Sequence, residues 1–291
     1  MRPLIEVITK LFPGAELETT ERLTGGVSAD VHRLDLKLRG GDRRSIVLRS
    51  HGETHSGHIA PLEYQLLYAL HQAGLPVPEP LLVDTSGSLL PDPFLIMDFV
   101  LGNSRIPVGE EEQYIEVMAQ ALGRIHSSTI ADLPVLPARI DPLPEVFDYL
   151  PAGPEWEDVV AHLQTLSDTA YTGTPKLLHG DFWPENLLWK QRSIVAILDW
   201  EDAAIGDPLS DVAIAAVELR YLFGTRGMEQ FTRAYAGKDQ LDLERLALWQ
   251  IYVAAAAQKF MGTWGLPPQR ESHMRREALA SIRDAADILM G

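Results

Sequence analysis

Apolar and polar positions along the chain follow two successive patterns, strand-like over roughly the first hundred residues and mainly helical from residue 101 onward. Leu4, Ile5, Ile8, Leu11 and Phe12 recur at helical spacing and predict an opening helix. Val31, Leu34, Leu36 and Leu38 are separated mainly by charged residues. A Gly-Gly-Asp turn at 40–42 then leads into a second run, Ser45–Arg49, so the pair reads as a β-hairpin. Pro61–Ala73 places Leu62, Leu66, Leu67 and Leu70 on one helical face. Pro76, Pro78 and Pro80 end that helix, and Pro93–Val100 supplies another apolar strand.

Further along, Tyr114, Met118, Ala121, Leu122 and Ile125 form one stripe of a helix over Glu111–His126. A Pro-rich stretch at 134–154 reads as a connector. Two short strands are expected around Leu187–Trp189 and Ile194–Leu198, and strong helical patterns cover roughly 208–222, 242–264 and 270–289. The expected architecture is α+β. A small strand-rich N-terminal lobe (1–100) and a larger helical C-terminal lobe (101–291) meet at a joint near Asp98–Gly102, and ligands are expected in the cleft between them.

Composition narrows the function classes. The 291 residues are 46% hydrophobic, which can fill a sizeable core and argues against disorder. With no Cys, disulfides, thiolate metal sites and a Cys nucleophile are excluded. No apolar run suits a secretory signal or a membrane span, so a cytoplasmic protein without membrane association is expected, as a monomer or homodimer. The net charge of −16 opposes nucleic acid and anionic lipid. It is the ordinary charge of a soluble surface, with a lean toward cationic partners.

The chemistry concentrates in His179-Gly180-Asp181-Phe182-Trp183-Pro184-Glu185-Asn186. This loop follows the apolar pair Leu177-Leu178 and precedes a strand, a turn at Lys190–Ser193 and a returning strand that ends at Asp199. Such a hairpin brings Asn186 and Asp199 to one end, where two oxygen ligands suit Mg²⁺ bound together with phosphate oxygens. Asp181 precedes Asn186 by five positions. From there a carboxylate can orient an acceptor hydroxyl and take its proton as phosphoryl transfer proceeds.

His179–Asn186, together with Ile197-Leu198-Asp199-Trp200 and Gly206-Asp207-Pro208-Leu209-Ser210-Asp211-Val212-Ala213, resembles the catalytic and metal-binding segments of the aminoglycoside phosphotransferase family. The resemblance runs from Leu23 to about Ala213. It implies a two-lobed, protein-kinase-like fold and an ATP-dependent enzyme that phosphorylates a hydroxyl of a small molecule. Its implied roles are Asp181 as catalytic base, Asn186 and Asp199 as Mg²⁺ ligands, and His179 as a brace of the loop. Asp207 and Asp211 would tie the following helix to that loop.

The N-terminal part supplies the expected nucleotide contacts. Gly25 and Gly26 form a turn whose backbone N–H groups can approach phosphate, and Ser28 adds a hydroxyl. Arg49 stands where protein kinases carry a phosphate-contacting lysine, and Glu63 is its natural ion-pair partner. Backbone groups of Asp98, Phe99 and Val100 are expected at the adenine edge. His51, His55 and His58 fall within eight residues, but the neighbouring glycines favour a loop over a metal site. Glu201 and Asp202 are candidates for binding an acceptor amine. A protein kinase is disfavoured by the short interval from Asp199 to Gly206 and the absence of an Ala-Pro-Glu signature. A nucleotide-binding pseudokinase is disfavoured by the presence of all three catalytic oxygen residues. A metal-dependent hydrolase built on His179 and Asp181 lacks a third ligand.

Overall fold

The computed structural model describes residues 2–23, 30–52 and 57–291. Its opening helix α1 (Arg2–Leu11) leads into strands β1 (Glu16–Arg22), β2 (Asp30–Lys37) and β3 (Arg43–Ser50). Helix α2 (Ala60–Gln72) follows, then β4 (Pro80–Asp84) and β5 (Phe94–Asp98). These five strands form one antiparallel sheet in the order β1-β2-β3-β5-β4.

The period-2 alternation decides which helix each residue meets. Leu34, Leu36, Ile46, Leu48, Phe94 and Ile96 pack with Val7 and Ile8 of α1. Their neighbours Leu95 and Met97 point the other way and join Leu66, Leu67 and Leu70 of α2. Strand β5 is therefore covered on both faces, which is why it reads as an unbroken apolar run. Arg49, next to Leu48 in β3, falls on the α2 side and so meets Glu63.

The remaining chain is mainly helical. Helix α3 (Glu111–Ser127) packs on α6 (Pro208–Ala236), which in turn meets α7 (Leu243–Phe260) and α8 (Pro268–Met290). Two small sheets lie among them. One orders β6 (Ala138–Arg139), β10 (Ala204–Gly206) and β7 (Lys176–Leu178), and the other is the hairpin β8 (Leu187–Lys190) and β9 (Ser193–Ile197).

Several elements go beyond the sequence pattern. Strand β1 is dense in Glu and Thr and mostly exposed at the sheet edge, so it lacks the alternation that marks a half-buried strand. Strand β4, the opposite edge, opens on Pro80, where the missing N–H costs least. The Pro-rich connector holds α4 (Leu143–Tyr149), and α5 (Glu157–Thr165) follows it. Pro144 lies in the first turn of α4, where proline is tolerated. Helix α6 continues to Ala236, but Gly224 (φ 68°, ψ −171°) breaks it close to the end expected at 222. Among the described residues, no helix is long and apolar enough to cross a membrane.

The start of α6 is fixed by Asp207, which is fully buried. One carboxylate oxygen caps the helix by accepting from Leu209 N at 3.0 Å. The other accepts from Trp249 Nε1 at 2.6 Å and from Arg245 Nε, both on α7. Arg245 also donates to the carbonyls of Thr169 (2.8 Å) and Ile140 (3.0 Å). Replacing Asp207 with Ala removes a cap and strands a partly buried guanidinium and a buried indole N–H. Urea unfolding of Asp207→Ala is therefore expected to show a loss of about 3–5 kcal/mol, and a loss below about 1 kcal/mol would contradict the assignment.

Candidate active site

The loop after β7 is held from beneath. The Asp211 carboxylate, fully buried in the first turn of α6, accepts from the backbone N–H of His179 (2.7 Å) and of Gly180 (2.9 Å). It also accepts from His126 Nε2 at 3.1 Å, while Nδ1 of the same ring accepts from Tyr235 Oη at 2.7 Å. Burial alone would raise the Asp211 pKa. The His126 hydrogen bond, with the loop N–H groups, outweighs it and holds the carboxyl below its ordinary value. His126, the last residue of the helix expected over Glu111–His126, is thus part of the brace.

His179 is the second support. Its Nε2–H donates to Leu198 O at 2.9 Å, and Nδ1 accepts from Asp181 N at 3.2 Å. These partners assign the neutral tautomer, and complete burial lowers its pKa in the same sense. Gly180 has φ 87°, and a Cβ there would overlap the carbonyl of Asp202, so only glycine lets the two loops approach. Arg139 Nη1 donates to Gly180 O at 3.1 Å.

The three oxygen residues expected from sequence lie together. Asn186 Nδ2 donates to both the carbonyl and the carboxylate of Asp181, each at 2.9 Å. Leu187 pairs with Ile197 across the β8–β9 hairpin, and Leu198 N donates to Asn186 O at 2.8 Å, which brings Asn186 and Asp199 to one end. Asp199 itself has φ 62°, a left-handed conformation that Asp tolerates better than most residues and that often marks a functional turn. Burial, then the charges of Asp199 and Asp202, raise the Asp181 pKa to about 7; the Asn186 hydrogen bond opposes this and Glu201 adds to it.

With its amide nitrogen committed to Asp181, Asn186 keeps a carbonyl oxygen that can join the Asp199 carboxylate as a pair of hard oxygen donors. Such a pair fits Mg²⁺, which completes its octahedron with water and phosphate oxygens. Among the described residues, no group of three His, Cys, Asp or Glu side chains forms a metal cage. His51 Nε2 is bonded to Glu63 at 2.7 Å and His58 Nε2 donates to Ala203 O at 2.8 Å, while His55 lies outside the described residues.

Arg49, which is buried, gathers more partners than the one expected. Its Nε lies 3.5 Å from Glu63, Nη1 donates to Asp199 at 3.0 Å, and Nη2 donates to Glu201. Burial works against its charge, but the three carboxylates more than offset this and raise its pKa. Glu201, considered from sequence as an amine-binding residue, is therefore engaged by Arg49.

At the expected adenine segment, Asp98 N donates to Glu79 O (2.9 Å) and Phe99 N to Ser45 O (3.2 Å). The Asp98 carboxylate pairs with Arg44 at 2.7 Å. These two N–H groups are thus used within the protein, which leaves carbonyl oxygens and the segment from Val100 onward for a base edge. Gly25, Gly26 and Ser28 lie outside the described residues.

One acidic residue escaped the sequence reading. Burial, then the charges of Asp181 and Glu185, raise the pKa of Glu218 to about 8, with Arg270 opposing them. Glu218 stands seven residues after Asp211, on the same face of α6, a relation visible only once that helix is known to pack under the loop.

Residues 19–249 match the phosphotransferase enzyme family. Over 205 residues the chain is 29% identical to acyl-CoA dehydrogenase family member 10 of Mus musculus, a match covering 62% of this chain and 19% of that protein. The chain spans only about a fifth to a quarter of the curated relatives it matches. A thermostable mutant of aminoglycoside phosphotransferase APH(4)-Ia, solved with AMP-PNP and hygromycin B, shares the fold with a TM-score of 0.63 at 17% identity, covering 97% of this chain and 98% of that one. A choline/ethanolamine kinase family protein from Mesorhizobium loti does so with a TM-score of 0.59 at 21% identity, covering 99% and 95%. A family match over most of the sequence, on a fold shared with solved kinases, shows that this chain belongs to the phosphotransferase enzyme family.

Proposed function

We propose that the protein transfers the γ-phosphoryl group of ATP to a hydroxyl of a small molecule. The observation that carries this reading is the convergence of Asp181, Asn186 and Asp199 at one hairpin end, with Arg49 reaching Asp199 from the sheet. In this reading the sheet and its helices form a nucleotide-binding lobe and the helical remainder an acceptor-binding lobe. Asn186 and Asp199 hold Mg²⁺, which when bound would neutralise phosphate charge. Arg49 binds donor phosphate, Asp181 orients the acceptor hydroxyl and takes its proton, and His179, Asp211 and His126 keep the loop in register.

The raised pKa of Asp181 fits the role of base, because carboxylate crowding stores proton affinity there. A cation held at Asn186 and Asp199 would offset that crowding and favour the ionised base. A protein-kinase reading is not supported, since only short β10 separates Asp199 from α6 and leaves no room for an activation segment.

Two acceptor classes follow from separate observations. The acidic surroundings of Asp181, including Glu185 and Glu218, suit a cationic acceptor. The curated relatives are named for acyl-CoA, so an acyl thioester that carries a hydroxyl is the second class to test. ADP release should be measured with Mg-ATP against aminoglycosides, choline, homoserine, sugars, and hydroxy acids with their thioesters. Acceptor-dependent release from one class supports the reading; nucleotide binding without stimulation by any class would favour a regulatory pseudokinase.

Two predictions follow for Asp181→Asn. The turnover found with the productive acceptor should fall by about 10²–10⁴-fold, with Mg-ATP still bound; unchanged turnover would remove Asp181 as the base. The same variant should be more stable than the wild type in metal-free buffer at pH 8. Folding raises the Asp181 pKa from 3.8 to about 7, so the folded state holds a proton that the unfolded chain has lost. The cost to the wild type develops as pH rises from about 4 and is complete above about 7. Melting curves from pH 4 to 8 should show the advantage of Asp181→Asn growing across that window, and a constant difference would contradict the assignment.

A further inference from the structure

Three carboxylates surround the Arg49 guanidinium, and they differ in what else the site asks of them. Glu63 reaches Nε at 3.5 Å from α2 and shares its carboxylate with His51 Nε2 at 2.7 Å. Asp199 takes Nη1 at 3.0 Å, yet it is the carboxylate assigned to the metal. Glu201 takes Nη2 from the turn beyond β9, and its side chain is 11% exposed.

The approach of Glu201 is built into the backbone on both sides. A Cβ on Gly57 would overlap the Glu201 side chain, so the absence of one leaves the room that Glu201 occupies. The next residue, His58, donates its N–H to Glu201 O at 2.9 Å and its Nε2–H to Ala203 O at 2.8 Å. The segment before α2 therefore grips the turn that carries Glu201.

A guanidinium is a rigid plane with its donors in fixed directions. The Glu63 carboxylate, 3.5 Å from Nε, attracts the charge without hydrogen-bonding it, so Glu201 at Nη2 is the contact that fixes the plane and leaves the edge at Nη1 to exchange partners. Without the Nη2 anchor, Arg49 would fall back on Asp199 and compete with the metal for one carboxylate.

We propose that Glu201 is a positioning residue for the donor nucleotide, holding Arg49 toward the phosphates while Asp199 serves the metal. This rests on the roles given to Arg49 and Asp199 under the proposed function. Glu201 acts through Arg49, so its effect must disappear when Arg49 is removed.

The test is a double-mutant cycle on the binding of Mg-AMP-PNP, measured by calorimetry with wild type, Glu201→Gln, Arg49→Met and the double variant. Glu201→Gln is nearly isosteric, and circular dichroism and melting curves establish that each variant is folded. Glu201→Gln should bind the nucleotide about ten- to thirtyfold more weakly and need more Mg²⁺ for half-saturation. In turnover it should raise KM for ATP more than it lowers kcat, and Glu201→Asp should recover part of the loss. The double variant should bind no more weakly than Arg49→Met alone. Additive losses would overturn the proposal, because Glu201 would then act on the metal or nucleotide independently of Arg49. Wild-type affinity in Glu201→Gln would overturn it as well. Failure of the wild type itself to bind Mg-AMP-PNP would instead overturn the functional reading first, and this proposal with it.

Discussion

The Asp211 carboxylate is the contact on which the rest of the site depends. A buried charge is expensive unless every lone pair is used. Here two backbone N–H groups of one loop and an imidazole from α3 satisfy it. The loop thereby gains fixed amides, and its exit direction is set for Asp181. Asp207, four residues earlier, locks the same helix to α7 through Trp249 and Arg245. Helix α6 thus serves as a rigid frame between the loop on one side and the helical core on the other.

Above that frame the electrostatics are deliberately unfavourable. Asp199, Asp202 and Glu201 lie close enough to Asp181 to raise its proton affinity, and Glu218 extends the crowding along α6. Arg49 offsets part of this by meeting three carboxylates at once. The remaining negative charge suits a divalent cation brought in with a nucleotide. Stability is given up at the site in exchange for a polarised, preorganised environment, a common trade in enzymes.

Much of this was legible in the sequence because it rests on local rules. Alternation located β2, the turn at 40–42 placed β3 beside it, and the apolar run Pro93–Val100 marked β5; the position of Arg49 in its strand pointed to Glu63 as partner. The spacing of Asp181, Asn186 and Asp199 around a hairpin was sufficient to bring them together. What stayed hidden depends on tertiary context. Strand β1 carries no apolar alternation because it lies at an exposed edge, and α4 was masked by prolines that its first turn tolerates. His126 marked only the end of an expected helix until α6 brought Asp211 against it. Glu201 looked like a solvated acid until the register of β3 placed Arg49 within reach.

The most direct test of phosphoryl transfer uses ATP labelled with ¹⁸O on the nonbridging oxygens of the γ-phosphate, with the productive acceptor analysed by mass spectrometry. The account predicts a phosphate ester that retains every label and whose bridging oxygen comes from the unlabelled acceptor hydroxyl, with ADP as the other product. Label released only as inorganic phosphate, or an acceptor product formed together with AMP, would contradict it.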